Sequence, residues 1–267
     1  MAGPTTAERG ARQQEPSGPP PARRLRPPSV RTIIILGLAL VLLGAGGGWL
    51  LYGSQWLRVE RVTVSGTRVL TPEQVREAAD VPVGAPLVSV DTEGIEARLR
   101  EKLPRIDSVD VVRSWPHGIG LKVVERTPVL LLENPGDRGG FLEVDDEGVR
   151  FATVSRATKG VPLLKLTLSR SGSAGASLRR FGEERLVREA VRVAGVLPDR
   201  VARDTRTLKV RSYDAISLEL SGGRTVSWGS AEKGAAKART LTALMKAAPG
   251  ARHFDVSVPT APASSGS

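Results

Sequence analysis

The sequence predicts an α+β protein: one N-terminal transmembrane helix, a small β-α-α-β-β domain, and a larger, mostly β domain with flanking helices. Two patterns carry this prediction. An apolar run lies near the N-terminus, and strand and helix periodicities alternate through most of the remaining 267-residue chain. The chain has no cysteine, which excludes disulfide frameworks, thiolate zinc sites and a cysteine nucleophile.

The apolar run predicts a membrane anchor. Residues 33–52 read IIILGLALVLLGAGGGWLLY, with no ionisable side chain except the terminal Tyr52. As a helix this run spans about 30 Å, the thickness of a bilayer's hydrocarbon core. A cleaved signal peptide is the alternative, but the run exceeds the usual apolar segment of about 7–15 residues and no small-residue cleavage motif follows it. We therefore expect an uncleaved transmembrane helix over 33–52.

The flanking charges predict the orientation of this helix. Four arginines lie between residues 23 and 31, whereas Arg58 and Arg61 downstream are accompanied by Glu60. The positive-inside rule then places the N-terminus in the cytoplasm and residues 53–267 outside. Residues 1–32, rich in Pro, Gly, Ala and Arg, are predicted to form a disordered cytoplasmic tail, and low-complexity residues 260–267 a disordered C-terminal tail.

The net charge of +11 alone would suit a nucleic-acid binder. The distribution argues against this class, because both signs are interspersed beyond the apolar run and the chain has only four Phe for base stacking. The basic domain is also predicted to lie outside the cell. We expect no nucleic-acid partner, and a surface suited to anionic lipid headgroups or acidic wall polymer.

The first predicted domain has the order β-α-α-β-β. Thr71 with Gln74 forms a capping-box signature, and Asp91 is the expected N-cap of the second helix. Trp115-Pro116 shapes the turn of a hairpin or, as the alternative, forms a recognition feature. The predicted elements are a strand over 59–64, helices over 71–80 and 91–103, and strands over 108–113 and 119–125.

The second domain is predicted to be mostly β. Asp145-Asp146-Glu147-Gly148 is interpreted as a tight turn, with a cation site or paired carboxylates as the alternative, and 169–177 (SRSGSAGAS) as a flexible loop. His117 and His253, the only histidines, have no partners at ligand spacing, so no metal is expected. The predicted elements are strands over 129–133, 141–144 and 149–151, a helix over 183–197, strands over 207–211, 216–220 and 224–228, a helix over 237–246, and a last strand over 253–258.

Several short motifs keep one order through the chain, and together they resemble the FtsQ/DivIB family of cell-division proteins. The motifs are Val62-x-Val64-x-Gly66, Gly84-x-x-Leu87-x-x-Val90-Asp91, Arg113-x-Trp115-Pro116, Val124-Glu125-Arg126-x-Pro128, Val144-Asp145-x-x-Gly148, and Phe254-Asp255-Val256-x-Val258-Pro259. The resemblance implies a POTRA domain over 57–126 and a mixed, mostly antiparallel FtsQ-type β domain over 127–259. Glu125 and Arg126 would lie at the junction of the two domains, either fixing their geometry or forming an exposed pair.

The resemblance also implies a function. A protein of this kind is a non-enzymatic scaffold of the divisome, held in the inner membrane at the septum without a cofactor. It binds single-pass proteins of the FtsB (DivIC) and FtsL types, and through them regulates the septal peptidoglycan synthase pair FtsW–FtsI. The expected partner site is the last strand at the sheet edge, which would accept a partner strand; an ordinary internal strand is the alternative. Its residues are Phe254, Asp255, Val256, Ser257 and Val258.

A proline at Val256 is expected to remove a ladder donor and abolish partner binding while leaving the folded domain soluble. Two other functions remain as alternatives. A membrane-anchored cell-wall enzyme would need a catalytic cluster, yet the chain has no cysteine, no histidine cluster and no Gly-x-Ser-x-Gly element. A POTRA-type export chaperone would combine repeated POTRA domains with a barrel of about eight or more strands, and the predicted elements contain neither.

Overall fold

The computed structural model describes residues 29–134, 136, 139–167 and 172–266, with only the backbone described over 172–178. The chain divides into two compact units at residue 50. The predicted cytoplasmic tail lies outside the described residues except for 29–32, where the first helix begins.

Helix α1 (Val30–Gly53) is 24 residues long, and none of its side chains is buried within the protein. It begins three residues before the predicted apolar run because Ser29 caps it: the Ser29 hydroxyl accepts a hydrogen bond from the Thr32 N–H at 3.3 Å. Among the described residues it is the one helix long and apolar enough to cross a membrane. The predicted membrane anchor therefore has the expected structure.

A three-stranded sheet follows, which we call the small sheet. Its central strand β3 pairs antiparallel with β2 and parallel with β1. The predicted capping box is confirmed, since the Thr71 hydroxyl accepts from the Gln74 N–H and the Gln74 side chain accepts from the Thr71 N–H. The elements are β1 (Arg61–Ser65), α2 (Pro72–Ala79), α3 (Thr92–Lys102), β2 (Ile106–Ser114) and β3 (Gly118–Glu125).

The remaining strands form one nine-stranded sheet, which we call the large sheet. Its order is β12-β11-β10-β9-β8-β7-β4-β5-β6, with three parallel and five antiparallel pairs. The predicted mixed, mostly antiparallel character is confirmed. The elements are β4 (Leu130–Glu133), β5 (Phe141–Val144), β6 (Arg150–Val154), β7 (Leu163–Leu166), α4 (Gly172–Val196), α5 (Asp199–Asp204), β8 (Thr205–Ser212), β9 (Ala215–Leu220), β10 (Thr225–Gly229), α6 (Gly234–Ala247), β11 (His253–Asp255) and β12 (Ala263–Ser265).

Helices α4 and α6 supply the apolar side chains that cover the large sheet. Leu186 from α4 and Leu241 from α6 are fully buried in the same cluster as Trp228 of β10 and Phe254 of β11. Burial of such large apolar side chains contributes roughly 1.5–3 kcal/mol each, so this cluster fixes β10 and β11 against the helices.

Two differences from the prediction concern the segments expected to be a flexible loop and a disordered tail. Helix α4 begins at Gly172, inside the segment predicted to be a loop, and its break lies at Gly182 (φ 70°, ψ 162°). Residues 169–171 of that segment lie outside the described part. Gly and Ser disfavour a helix by only about 1 kcal/mol or less per residue, so this composition does not exclude one. The second difference is β12, a strand in the segment predicted to be a disordered tail.

Candidate functional site

The predicted partner strand is shorter in the structure than expected. Strand β11 covers His253–Asp255, whereas the sequence predicts 253–258. The cause is the Asp255 carboxylate, whose Oδ1 accepts hydrogen bonds from the Ser257 N–H at 2.9 Å and the Ser257 hydroxyl at 2.6 Å. This Asx-type turn bends the chain away from the sheet. Val258, which is 54% exposed, therefore lies beyond the strand.

Side chains nevertheless alternate between the two faces as the sequence predicts. Phe254 and Val256 are buried in the core of the large sheet, and His253, Asp255 and Ser257 are exposed. The His253 ring nitrogen Nδ1 lies 2.7 Å from the Thr225 hydroxyl on β10. The apolar pair holds the strand in place, and the polar residues leave its outer face open to solvent.

Backbone groups of β11 alternate as well. The Thr225 N–H donates to the Arg252 carbonyl at 2.8 Å, and the Val256 N–H donates to the Ser227 carbonyl at 3.0 Å. The polar groups of residue 254, the Arg252 carbonyl and the Val256 N–H thus face β10, because successive strand residues point their polar groups to opposite sides. The Arg252 N–H instead donates to the Ser265 and Gly266 carbonyls on the β12 side. The outward groups belong to His253 and Asp255. The Val256 N–H thus serves the protein's own ladder to β10, and the effect of Val256→Pro on partner binding stays a prediction.

Strand β12 lies on the outward side of β11, so β12 and not β11 is the edge strand. The two pair antiparallel, with His253 opposite Ser265, Phe254 opposite Ser264 and Asp255 opposite Ala263. All three residues of β12 are exposed. The edge position that the sequence predicts for the strand over 253–258 is thus taken by β12, which comes from the chain's own C-terminal segment.

Helix α6 contacts β11 and bonds to the chain just after β10 and just after β11. Lys237 of α6 is 2% exposed and donates from Nζ to the Ser230 carbonyl at 2.8 Å. Burial lowers the pKa of Lys237, and the nearby Glu232 carboxylate opposes this only in part. Thr240 donates to the Pro259 carbonyl at 3.3 Å, which anchors the chain just after β11.

A second group of predicted residues joins the two sheets. The Arg126 guanidinium, after β3, bonds through Nη1 to the Asp145 carboxylate at the end of β5. The same atom lies 3.2 Å from Glu147 and 3.4 Å from Asp107. Burial opposes the charge of Arg126, but the hydrogen bonds to Asp145 and Glu147 outweigh it and raise its pKa. Asp145 is 1% exposed, and its other oxygen accepts the N–H groups of Glu147 and Val149.

Glu125 acts elsewhere. Its Oε1 accepts the N–H groups of three successive residues, Arg68, Val69 and Leu70, at 2.7, 3.1 and 3.0 Å. A carboxylate with several backbone donors is a strong and specific contact. Glu125 therefore holds the segment between β1 and α2, within the same domain as the small sheet. The contact between the two sheets rests on Arg126 instead.

A second arginine–carboxylate pair, Arg105 with Glu143, lies beside Arg126 and was not predicted from the sequence. Arg105 donates from Nη2 to Glu143 of β5 at 2.7 Å, and Glu143, which is 3% exposed, also accepts from the Thr158 hydroxyl at 2.6 Å. The Arg105 guanidinium lies 5.2 Å from the centre of the Phe151 ring. A glutamate inside the apolar strand Phe141–Val144 was the available signal, since a buried carboxylate requires a partner.

The other motif residues shape the backbone of the two sheets. Asp91 accepts from the Gly94 N–H as the N-cap of α3, and Arg113 donates to the carbonyls of Leu87 and Val90, which ties β2 to the chain before α3. The motif glycines Gly66, Gly84 and Gly148 all have a positive φ, of 88°, 87° and 86°. Trp115-Pro116, joined by a cis peptide bond, lies between β2 and β3 with the indole 52% exposed.

One element of catalytic type, which was missed in the prediction from the sequence, bears on the enzyme alternative. Ser230 and Lys233 have the Ser-x-x-Lys spacing found in some acyl-transferring enzymes. Lys233 is exposed and precedes α6 with a φ of 55°. A nucleophilic serine needs a base within hydrogen-bond reach in a closed site, and an exposed lysine does not provide this environment. The geometry favours a surface turn.

Comparison with known proteins identifies the family. The model for the POTRA domain, FtsQ-type, matches residues 57–126. Cell division protein FtsQ of Streptomyces coelicolor is 76% identical over the whole of both chains, and that of Streptomyces collinus is 74% identical over the whole of both. The chain belongs to the FtsQ family of cell-division proteins. FtsQ of Mycobacteroides abscessus is 31% identical over 86% of this chain and 68% of the relative. With the apolar helix α1, the chain is a membrane-anchored cell-division protein.

Proposed function

We propose that the chain is a non-enzymatic scaffold of the divisome that binds FtsB-type and FtsL-type single-pass proteins outside the membrane. The N-terminus lies in the cytoplasm, and residues 53–267 lie on the outer side at the septum. Through these partners the protein regulates the FtsW–FtsI synthase pair. The POTRA domain and helix α1 serve localisation.

The observation that carries this proposal is the C-terminal edge of the large sheet, where β11 pairs with the exposed edge strand β12. His253 and Asp255 direct backbone N–H and C=O groups away from β10, and buried Phe254 and Val256 hold the strand rigid. A strand edge of this kind binds an extended segment through main-chain hydrogen bonds, while neighbouring side chains select the sequence. The site thus suits recognition of a partner strand better than chemistry on a small molecule.

Asp255→Pro tests the proposal. Proline has no N–H, so the outward ladder of β11, which holds the edge strand β12 in place for a partner, would lose a donor at a cost of about 1–3 kcal/mol. We expect affinity for the extracytoplasmic part of the FtsB-type protein to weaken about tenfold or more. The measurement is titration of the full chain, held in lipid nanodiscs, with that partner.

The matched control is Asp255→Ala, which removes the carboxylate and its turn but keeps the N–H. We expect it to bind within about threefold of the natural chain, because the ladder is intact. Equal affinity for the alanine and proline variants would show that the β11–β12 ladder does not carry the partner site, and the proposed site would then be wrong.

A further inference from the structure

One end of the POTRA domain is formed by the chain that follows helix α1 and by two neighbouring segments; we call it the linker end. It consists of residues 54–61, 82–86 and 113–118. The Val59 N–H donates to the Ala85 carbonyl and the Glu60 N–H donates to the His117 carbonyl, both at 2.9 Å. These hydrogen bonds hold the three segments side by side.

Large apolar side chains are exposed at the linker end. Trp56 is 76% exposed and Val83 is 67% exposed, and about half of Trp115 is exposed. Elsewhere in the POTRA domain, which the structure describes throughout, only Val69 and Val124 are also large, apolar and exposed. Exposed indole rings are typical of the membrane–water interface, where the ring is partly dehydrated and its N–H keeps a polar partner.

The length of the chain keeps the linker end close to the membrane. Gly53 is the last residue of α1, and Arg58 already forms an antiparallel bridge with Pro86. Five residue steps cover at most about 18 Å when fully extended, and the 3₁₀ turn Gln55–Leu57 shortens them further. Because the headgroup layer on each side of a bilayer is about 5–8 Å thick, a helix that spans the core leaves the linker end within reach of this layer.

The charge of the linker end also suits a lipid surface. Its charged residues are three arginines, Arg58, Arg61 and Arg113, and one glutamate, Glu60. Arg58 and Arg113 donate to backbone carbonyls of the domain, whereas the Arg61 side chain is exposed. An excess of positive charge beside apolar rings attracts anionic headgroups.

We propose that the linker end docks on the surface of the membrane that α1 spans, with Trp56, Val83 and Trp115 in the headgroup layer and Arg61 against anionic lipid. The segment before Arg58 would by itself let the domain turn relative to the bilayer, and three apolar contacts with the lipid restrict this rotation. The docking requires no FtsB-type partner, so it is tested independently of the partner site.

A spin label at position 83 tests the docking, because the chain has no cysteine of its own to react with the label. Val83→Cys is labelled in the full chain, held in nanodiscs of phosphatidylglycerol and phosphatidylcholine. Val69→Cys is the matched control, since Val69 is almost equally exposed and its N–H bonds to Glu125 at the far end of β3.

The measured quantity is the ratio of label collisions with oxygen, which enters the bilayer, to collisions with a water-soluble nickel complex. We expect this ratio to be about threefold higher or more at position 83 than at position 69. Equal ratios would overturn the proposal and leave the linker end as a contact for a second protein. In nanodiscs of phosphatidylcholine alone we expect a lower ratio at position 83, and an unchanged one would contradict the part assigned to Arg61.

Trp115→Ser in the Val83→Cys chain tests whether the indole anchors the domain. We expect the collision ratio at position 83 to fall by about half or more, because an apolar contact with the lipid is lost. Val124→Ser is the control, since it removes an exposed apolar side chain outside the linker end and should leave the ratio unchanged. Hydrogen exchange of the β2 and β3 amides verifies that both variants are folded. An unchanged ratio in folded Trp115→Ser would overturn the docking through Trp115.

Discussion

At the scale of single residues, Gly66 and Gly84 of the POTRA domain require glycine for different physical reasons. Gly66 (φ 88°) approaches the Val123 carbonyl oxygen so closely that a Cβ there would lie 2.0 Å from it. Gly84 has almost the same φ, yet a Cβ would meet no heavy atom within 4 Å. Gly66 is therefore fixed by both conformation and close approach, and Gly84 by conformation alone.

This pair gives a matched prediction. Gly84→Ala should lower the free energy of unfolding by about 1–2 kcal/mol through left-handed strain. Gly66→Ala should cost about 2 kcal/mol more, because the β1–β3 backbone must move apart. Native-state hydrogen exchange of the β1 and β3 amides in the full chain measures both values. Equal losses would contradict the close approach.

At the scale of elements, the sequence predicts those parts whose signals are local. Thr71, Pro72 and Gln74 define the start of α2, and Asp91 defines that of α3, because capping needs only neighbouring residues. The apolar stripe of α4 after Gly182 is also visible in the sequence. Strand β7, Leu163–Leu166, escaped prediction because Leu-Leu-Lys-Leu has no clear alternation of its own.

The candidate site was predictable only in part, for the same reason. The alternation of Phe254 and Val256 with polar neighbours appears in the sequence and in the structure. The position of β12 does not follow from the sequence, since Ala-Ser-Ser has low strand propensity and forms a strand only because β11 offers unpaired groups. Arg105 and Glu143 lie far apart in sequence, and only the fold brings them together.

At the scale of the whole molecule, two arginines join the small sheet to the large one. Arg126 and Arg105 extend from the ends of the small sheet to Asp145 and Glu143 on β5. Both carboxylates are almost fully buried, so their charges depend on these partners. These two contacts tie the small sheet to β5 of the large sheet.

Arg126→Met tests the junction. Loss of the guanidinium leaves the buried Asp145 carboxylate without its cation, which should destabilise the β5–β6 hairpin by about 2–4 kcal/mol. Arg76→Met is the control, because Arg76 forms an exposed pair with Glu73 worth less than about 1 kcal/mol. Hydrogen exchange of the hairpin amides measures both. Similar small losses for the two variants would mean that Arg126 does not hold the junction.

The most direct test of the account is purification of the tagged full-length chain from native membranes, as natural protein and as Asp255→Pro, with bound proteins identified by mass spectrometry. We predict small single-pass proteins of the FtsB and FtsL types with the natural chain, and their loss with the proline variant at equal membrane abundance. Equal recovery with both chains, or recovery of export machinery instead, would contradict a division scaffold that binds its partner at the C-terminal edge of the large sheet.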